Sequence, residues 1–239
     1  MTWTDRLALF APLDFIAVTL LMVSWIMIGL RIENPGKNPS VSVLMAEYRR
    51  QWMVELVTRT PRIFDATVLS GLRQATSFFA SASMIALGGG FAAIGNSEQL
   101  QGVASELTLD TAPAVVWEIK IMLIMVFLTN AFLKFVWSNR LFGYCAVLMA
   151  AVPNDITNET AYPRAAKAAS LNISAARAFN RGLRSVYFAL GSAAWLLGSY
   201  ALLAATLFTV LVLYRREFAS NSRAVLMDSS DKIAPPTGM

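Results

Sequence analysis

Three arginines in the last third of this chain, Arg177, Arg181 and Arg184, follow an i, i+4, i+7 spacing. On a helix that spacing puts all three on one face, which Ser170 and Ser174 extend, while Ala175, Phe179, Leu183 and Val186 form the opposite face. Two such guanidinium groups can hold a phosphate or carboxylate bidentately, with Asn180 beside them to orient it. At a membrane surface the same three would contact anionic lipid headgroups, at about 1 kcal/mol each, and would help set topology. A second polar pair, Asn130 and Lys134, lies at i and i+4 in an apolar run. A charge at the bilayer centre costs roughly 2.5–3.5 kcal/mol. Lys134 escapes that cost either by snorkelling beside Trp137 or by pairing with an acid, for which Glu33 and Asp65 are the candidates on its side of the membrane. Asn130 can hydrogen-bond a neighbouring helix.

Other chemistry is largely closed to this chain. It contains no histidine and one cysteine, Cys145. Histidine-ligated haem, histidine-containing zinc sites and Ser-His-Asp catalysis are therefore excluded, as are an internal disulfide and an iron–sulfur cluster. No Walker lysine motif and no dinucleotide glycine fingerprint is present, and Gly88-Gly89-Gly90 is neither. Asp14 is read as an interfacial carboxylate favoured by a helix dipole, with a buried functional acid as the alternative. No catalytic residue, metal site or cofactor is expected, and the protein is read as not an enzyme.

The elements that carry these residues follow from composition. Hydrophobic residues make up 56% and charged residues 15% of 239, with a mean hydropathy of +0.53. Soluble chains are about 25% charged. Uncharged runs of about 20 residues mark membrane spans. The expected fold is all-α: a polytopic membrane bundle of about four transmembrane helices with interfacial or cytoplasmic amphipathic helices. Residues 1–218 form one membrane domain and 219–239 a polar, flexible tail. The net charge of +5 is topological rather than a nucleic-acid signal, because the basic residues bracket the apolar runs.

Span one is expected over Pro12–Leu30, with no cleavable signal pattern. Pro35, Gly36 and Pro39 then break the chain, and Ser40 caps a helix with Val41, Leu44, Met45, Tyr48, Trp52 and Leu56 on one face. That helix either lies in the membrane surface or docks on protein. Thr60-Pro61 is read as the start of the next helix, which becomes span two over Gln74–Ile94. There Ala82, Ala86 and Gly90 recur every four residues and suit close helix packing, although the three consecutive glycines could instead unwind the helix. An acidic segment, Asn96–Ala114, leads to span three over Val116–Trp137. The run Leu141–Pro153 is too short to cross alone, so it either continues that helix or re-enters shallowly.

The thirty uncharged residues from Ser185 to Tyr214 would make a helix about 45 Å long against a core of about 30 Å. The span must tilt, kink at Gly198-Ser199 or bury its excess. Gly191, Ala194 and Gly198 give it a small-residue face. Loop charges put the N-terminus outside, the two basic connections inside and the C-terminus outside. Arg215 and Arg216 conflict with that last placement.

The stretches LSGLRQATSFFASASMIALGG (69–89), KIMLIMVFLTNAFLKFVWSNRLFGY (120–144), AARAFNRGLRSVYFAL (175–190) and YRREF (214–218) resemble the domain of unknown function 599 family. The resemblance spans Arg31 to Phe218 and implies a helical membrane protein of about this size. It implies no activity, cofactor or site residue.

The leading expectation is a structural or accessory subunit, or scaffold, that packs with other membrane proteins or as a homo-oligomer in the bacterial inner membrane. Anionic lipid headgroups are expected partners and nucleic acid is not. The alternative is a small transporter or channel for an anionic solute, built on Lys134, Asn130 and the arginine stripe.

Overall fold

The computed structural model describes residues 3–34, 36–96, 102 and 113–228. Eight α-helices follow one another among these residues: α1 (Trp3–Leu7), α2 (Pro12–Glu33), α3 (Val41–Thr58), α4 (Ile63–Gly95), α5 (Ala114–Ala150), α6 (Ala161–Ala193), α7 (Ser199–Phe218) and α8 (Asn221–Met227). A 3-10 turn, Ala194–Leu197, links α6 to α7. The expected all-α bundle is what the chain forms. Three helices, α2, α4 and α5, are long and apolar enough to cross a membrane.

Helix ends follow local chemistry. Pro12 opens α2, and the Asp14 carboxylate accepts the Ala11 N–H at 3.0 Å. Ser40 caps α3 by accepting the Val43 N–H, and its own hydroxyl donates to Ile32 O at 2.7 Å, so one side chain joins the end of α2 to the start of α3. The surface-or-docked alternative for α3 resolves towards docking. Met53, Leu56 and Val57 are fully buried in a core with Leu69, Phe142, Cys145 and Ala168. Helix α4 starts at Ile63, two residues later than Thr60-Pro61 implied, and Arg62 occupies its N-cap position. The acidic segment before α5 lies largely outside the described residues.

The run Leu141–Ala150 continues α5, whose 37 residues extend about 55 Å. Against it lies α6, the most extensive helix contact in the fold. Ala161, Ala165, Ala168, Asn172, Ala175, Gly182, Ser185 and Ala189 are buried along α6. Their spacing alternates mainly between four and three residues, the repeat of a coiled-coil seam, and their small size lets the two backbones approach. At Gly182 the approach is closest, since a Cβ there would sit 2.7 Å from a ring carbon of Phe135.

The last apolar run departs most from expectation. It is not one long span. At Gly198 the backbone takes φ 110°, ψ 171°, a conformation open to glycine, and the chain reverses. Helix α7 then returns antiparallel along α6. A Cβ on Gly191 would lie 2.9 Å from Thr209 Oγ1, and the Arg216 guanidinium sits 5.4 Å from the Tyr187 ring centre. Asp14 pins the reversal, accepting from Trp195 Nε1 at 2.6 Å and Ser199 Oγ at 2.5 Å. The excess length is thereby folded into two legs. Phe218 and Glu217 come back to the end of the bundle that holds Glu33 and Arg184, so the end of α7 does not lie opposite the arginine stripe. The segment after Phe218 begins as α8, where Arg223 Nε donates to Pro39 O at 3.0 Å.

Candidate functional site

The stripe Arg177, Arg181, Arg184 does form one face of α6, and α2 covers its deep end. Glu33, the last residue of α2, meets two of the three. Its Oε1 accepts from Arg181 Nε at 2.9 Å and also from Arg184, while Oε2 accepts from Arg181. Arg184 is buried, Arg181 is exposed, and Arg177 has no ion-pair partner among the described residues. Glu33 was one of two acids expected for Lys134, but it serves the arginines. The other, Asp65, accepts from Trp52 Nε1 at 2.7 Å and from Arg59, in the contact between α3 and α4.

Lys134 nevertheless joins the group. A cavity of about 300 Å³ is lined by Trp25, Gly29 and Glu33 of α2, Asn130 and Lys134 of α5, and Arg181 and Arg184 of α6. Asn130 Nδ2 donates to Ser185 Oγ at 2.6 Å, which fixes α5 to α6 at the cavity wall. Exposed Ile26 and Leu30 form the side of this cavity that faces away from the bundle.

A neighbouring cavity of about 540 Å³ shares Glu33 and Arg184 with the first. Its other walls are Ser42, Arg49 and Arg50 of α3, Arg177 and Asn180 of α6, and Arg216 and Glu217 of α7. Glu217 is fully engaged: Oε2 accepts the Ser42 N–H at 3.1 Å and Oε1 accepts the Ser42 hydroxyl at 3.0 Å, at the positive end of α3. Asn180 Nδ2 donates to the same hydroxyl at 3.2 Å. Arg49 reaches inward to Asn172, and burial pushes its guanidinium below its ordinary pKa.

The two cavities together gather seven cationic side chains (Arg49, Arg50, Lys134, Arg177, Arg181, Arg184, Arg216) and two carboxylates. Both carboxylates already accept hydrogen bonds on each oxygen. Such a surplus attracts anions, and the low-dielectric walls strengthen the field.

Sequence reasoning missed the α3 and α7 contributions. The available signal was YRREF, a basic cluster in conflict with the drawn topology. Of the small residues singled out for packing, Gly90 meets Met125 (a Cβ would lie 2.9 Å from its Cγ), Gly191 meets Thr209, and Gly198 makes the reversal. Ala194 is half-buried in the 3-10 turn. Ala82 and Ala86 are exposed, because α4 turns Thr76, Ser83 and Leu87 inward instead.

A family model described as protein of unknown function, DUF599, matches residues 16–222. The chain matches no curated protein and no solved structure.

Proposed function

Because the chain belongs to the DUF599 family, whose description carries no activity, we propose from its residues alone that it is a non-enzymatic membrane protein that captures an anionic group at its basic end. The group is a phosphate or carboxylate, held in the joined cavities by Arg177 and Arg184 with Lys134 and Arg216 at the margins. One observation carries this reading: among the described residues seven cations line this space against two lining carboxylates that are already hydrogen-bonded, and of the seven Arg50 alone is paired with a further acid, Glu47. The basic end is the cytoplasmic one. With the uncharged run 185–214 as a hairpin beside α2, α4 and α5, every Lys- and Arg-rich connection and the end of α7 fall on that side, as positive-inside topology requires. The membrane is the bacterial inner membrane.

The occupant is either a lipid headgroup entering beside Ile26 and Leu30 or a free anion, and an experiment separates them. Full-length protein in phosphatidylcholine nanodiscs is titrated with phosphatidylglycerol, read by native mass spectrometry, and separately with inorganic phosphate, read by calorimetry. Arg177→Ala combined with Lys134→Met weakens whichever binds by roughly a hundredfold, the size of two lost charge-assisted contacts. Binding of neither probe, or binding that the double variant leaves unchanged, rejects the proposal. Phosphate flux in liposomes, abolished by Lys134→Met, would mark the site as a transport path.

A second reading, assembly with a copy of itself or another membrane protein, rests on α4. This helix packs mainly on α5, and its outer face exposes Ala82 and Ala86 beside Phe78, Ile85 and Phe91. Small residues there would admit another helix. A strictly monomeric protein in mild detergent, with nothing co-purifying, sinks it.

A further inference from the structure

A separate cavity of about 670 Å³ lies between the first turns of α4 and the last turns of α5, sharing no wall residue with the arginine site. Its size is that of small-molecule sites. Arg62 closes one end, its guanidinium donating to Val152 O at 2.6 Å and Pro153 O at 2.8 Å across the gap, and to Leu56 O at 3.1 Å and Val57 O at 3.2 Å behind it. Asn139 closes the other end, where its Nδ2 donates to Ser77 Oγ at 2.9 Å. Leu69, Ala146 and Met149 supply apolar wall between them.

Two wall residues keep unmet bonding capacity. Asp65 is fully buried, and while its Oδ1 accepts from Trp52 and Arg59, its Oδ2 has no donor among the described residues. Buried carboxylate oxygens are seldom left so, because the lost hydration is not replaced. Arg73 makes one long contact, Nε to Asn139 Oδ1 at 3.5 Å, which leaves its terminal nitrogens without an acceptor among the described residues. The two residues are eight apart on α4, about 12 Å along the axis, with Arg73 nearer the apolar middle of the bundle. Cation towards the membrane and anion away from it is the order that complements a zwitterionic phospholipid headgroup, whose phosphate lies inboard of its amine.

We infer that this cavity receives an aminophospholipid headgroup, with the phosphate on Arg73 and the ammonium donating to Asp65 Oδ2. The apolar wall then accommodates the glycerol end. A quaternary ammonium has no N–H to donate, so a choline headgroup of the same charge leaves the Asp65 oxygen unsatisfied.

The test compares phosphatidylethanolamine with phosphatidylcholine on the purified full-length chain, with retained lipid counted by native mass spectrometry. The ethanolamine lipid is expected to bind about tenfold more tightly, the effect of one charge-assisted hydrogen bond. Asp65→Asn should erase the preference, and Arg73→Ala should weaken retention of both lipids. Asp65→Asn removes a buried partner of Arg59 and can fail to fold, so Ala66→Trp provides an independent check by filling the cavity from an exposed position. Soluble phosphoethanolamine should compete with the lipid. Equal retention of the two lipids overturns the inference, as does a preference that survives Ala66→Trp. Binding of phosphoethanolamine without binding of the lipid would make the ligand a free zwitterion and overturn it also. Arg177→Ala should leave the preference intact, so failure here and failure of the anion-capture proposal are distinguishable.

Discussion

Glu33 and Arg184 form the central ion pair of the molecule: the carboxylate at the end of α2 binds the one buried arginine of the α6 stripe and holds Arg181 with its remaining capacity. The pair ties two helices that are 151 residues apart in sequence and stands in the wall of both anion cavities. Glu33→Gln should therefore destabilise by about 3–5 kcal/mol, because it leaves a buried guanidinium uncompensated. Arg181→Ala, which removes a half-exposed partner, should cost about 1 kcal/mol or less. Thermal unfolding of the two variants in detergent measures the difference, and equal shifts would contradict the arrangement.

The reversal at Gly198 makes a prediction about sidedness. A cysteine introduced at Ala219 in a Cys145→Ser background should react with an impermeant maleimide from the same side as one at Lys37, since Arg223 and Phe218 dock beside that loop. Labelling from opposite sides would restore the single long span.

Strain at that glycine is separately measurable. Gly198→Ala places a Cβ at φ 110°, which costs about 1–3 kcal/mol although no neighbouring atom lies within 4 Å. Gly71→Ala, with equal space and ordinary helical backbone, should be neutral or slightly stabilising. A melting temperature lowered only in the first variant is the expected result.

Close packing of α5 on α6 is tested at Gly182. Gly182→Val must displace the buried Phe135 ring, and overpacking of this kind costs about 1–3 kcal/mol. Phe135→Leu in the same chain should recover part of that loss, a coupling that a double-mutant cycle of unfolding free energies reads directly.

Arg62 bridges carbonyls on both sides of the bundle's basic end, at Leu56 and Val57 in the last turn of α3 and at Val152 and Pro153 after α5. Replacing it by Ala leaves those oxygens without their charged donor and should destabilise by more than about 2 kcal/mol. Arg62→Lys, with a single point of donation, should recover less than half of the loss in the same unfolding measurement.

Composition and periodicity alone were enough for the all-α membrane class, the order of the apolar helices and the arginine face of α6, whereas the run from Leu141 stayed open between continuing α5 and re-entering the membrane. These follow from one-dimensional facts: apolar run length against bilayer thickness, and residues three or four apart sharing a helix face. The start of α4 was misplaced by two residues, because the Thr60-Pro61 signal reads identically whether proline begins the helix or precedes it.

The reversal at Gly198 and everything that depends on it came only from tertiary structure. An uncharged run of thirty residues has the same hydropathy as one long helix or as a hairpin. What separates the two is the seat provided by Asp14, nearly two hundred positions away, for Trp195 and Ser199. Likewise the stripe on α6 was visible as charge, but its joining with Arg49 and Arg216 was not, because those residues belong to two other helices. Local sequence sets which face of a helix is charged. Which faces share a cavity is set by packing between distant segments, and that is a property of the folded bundle alone.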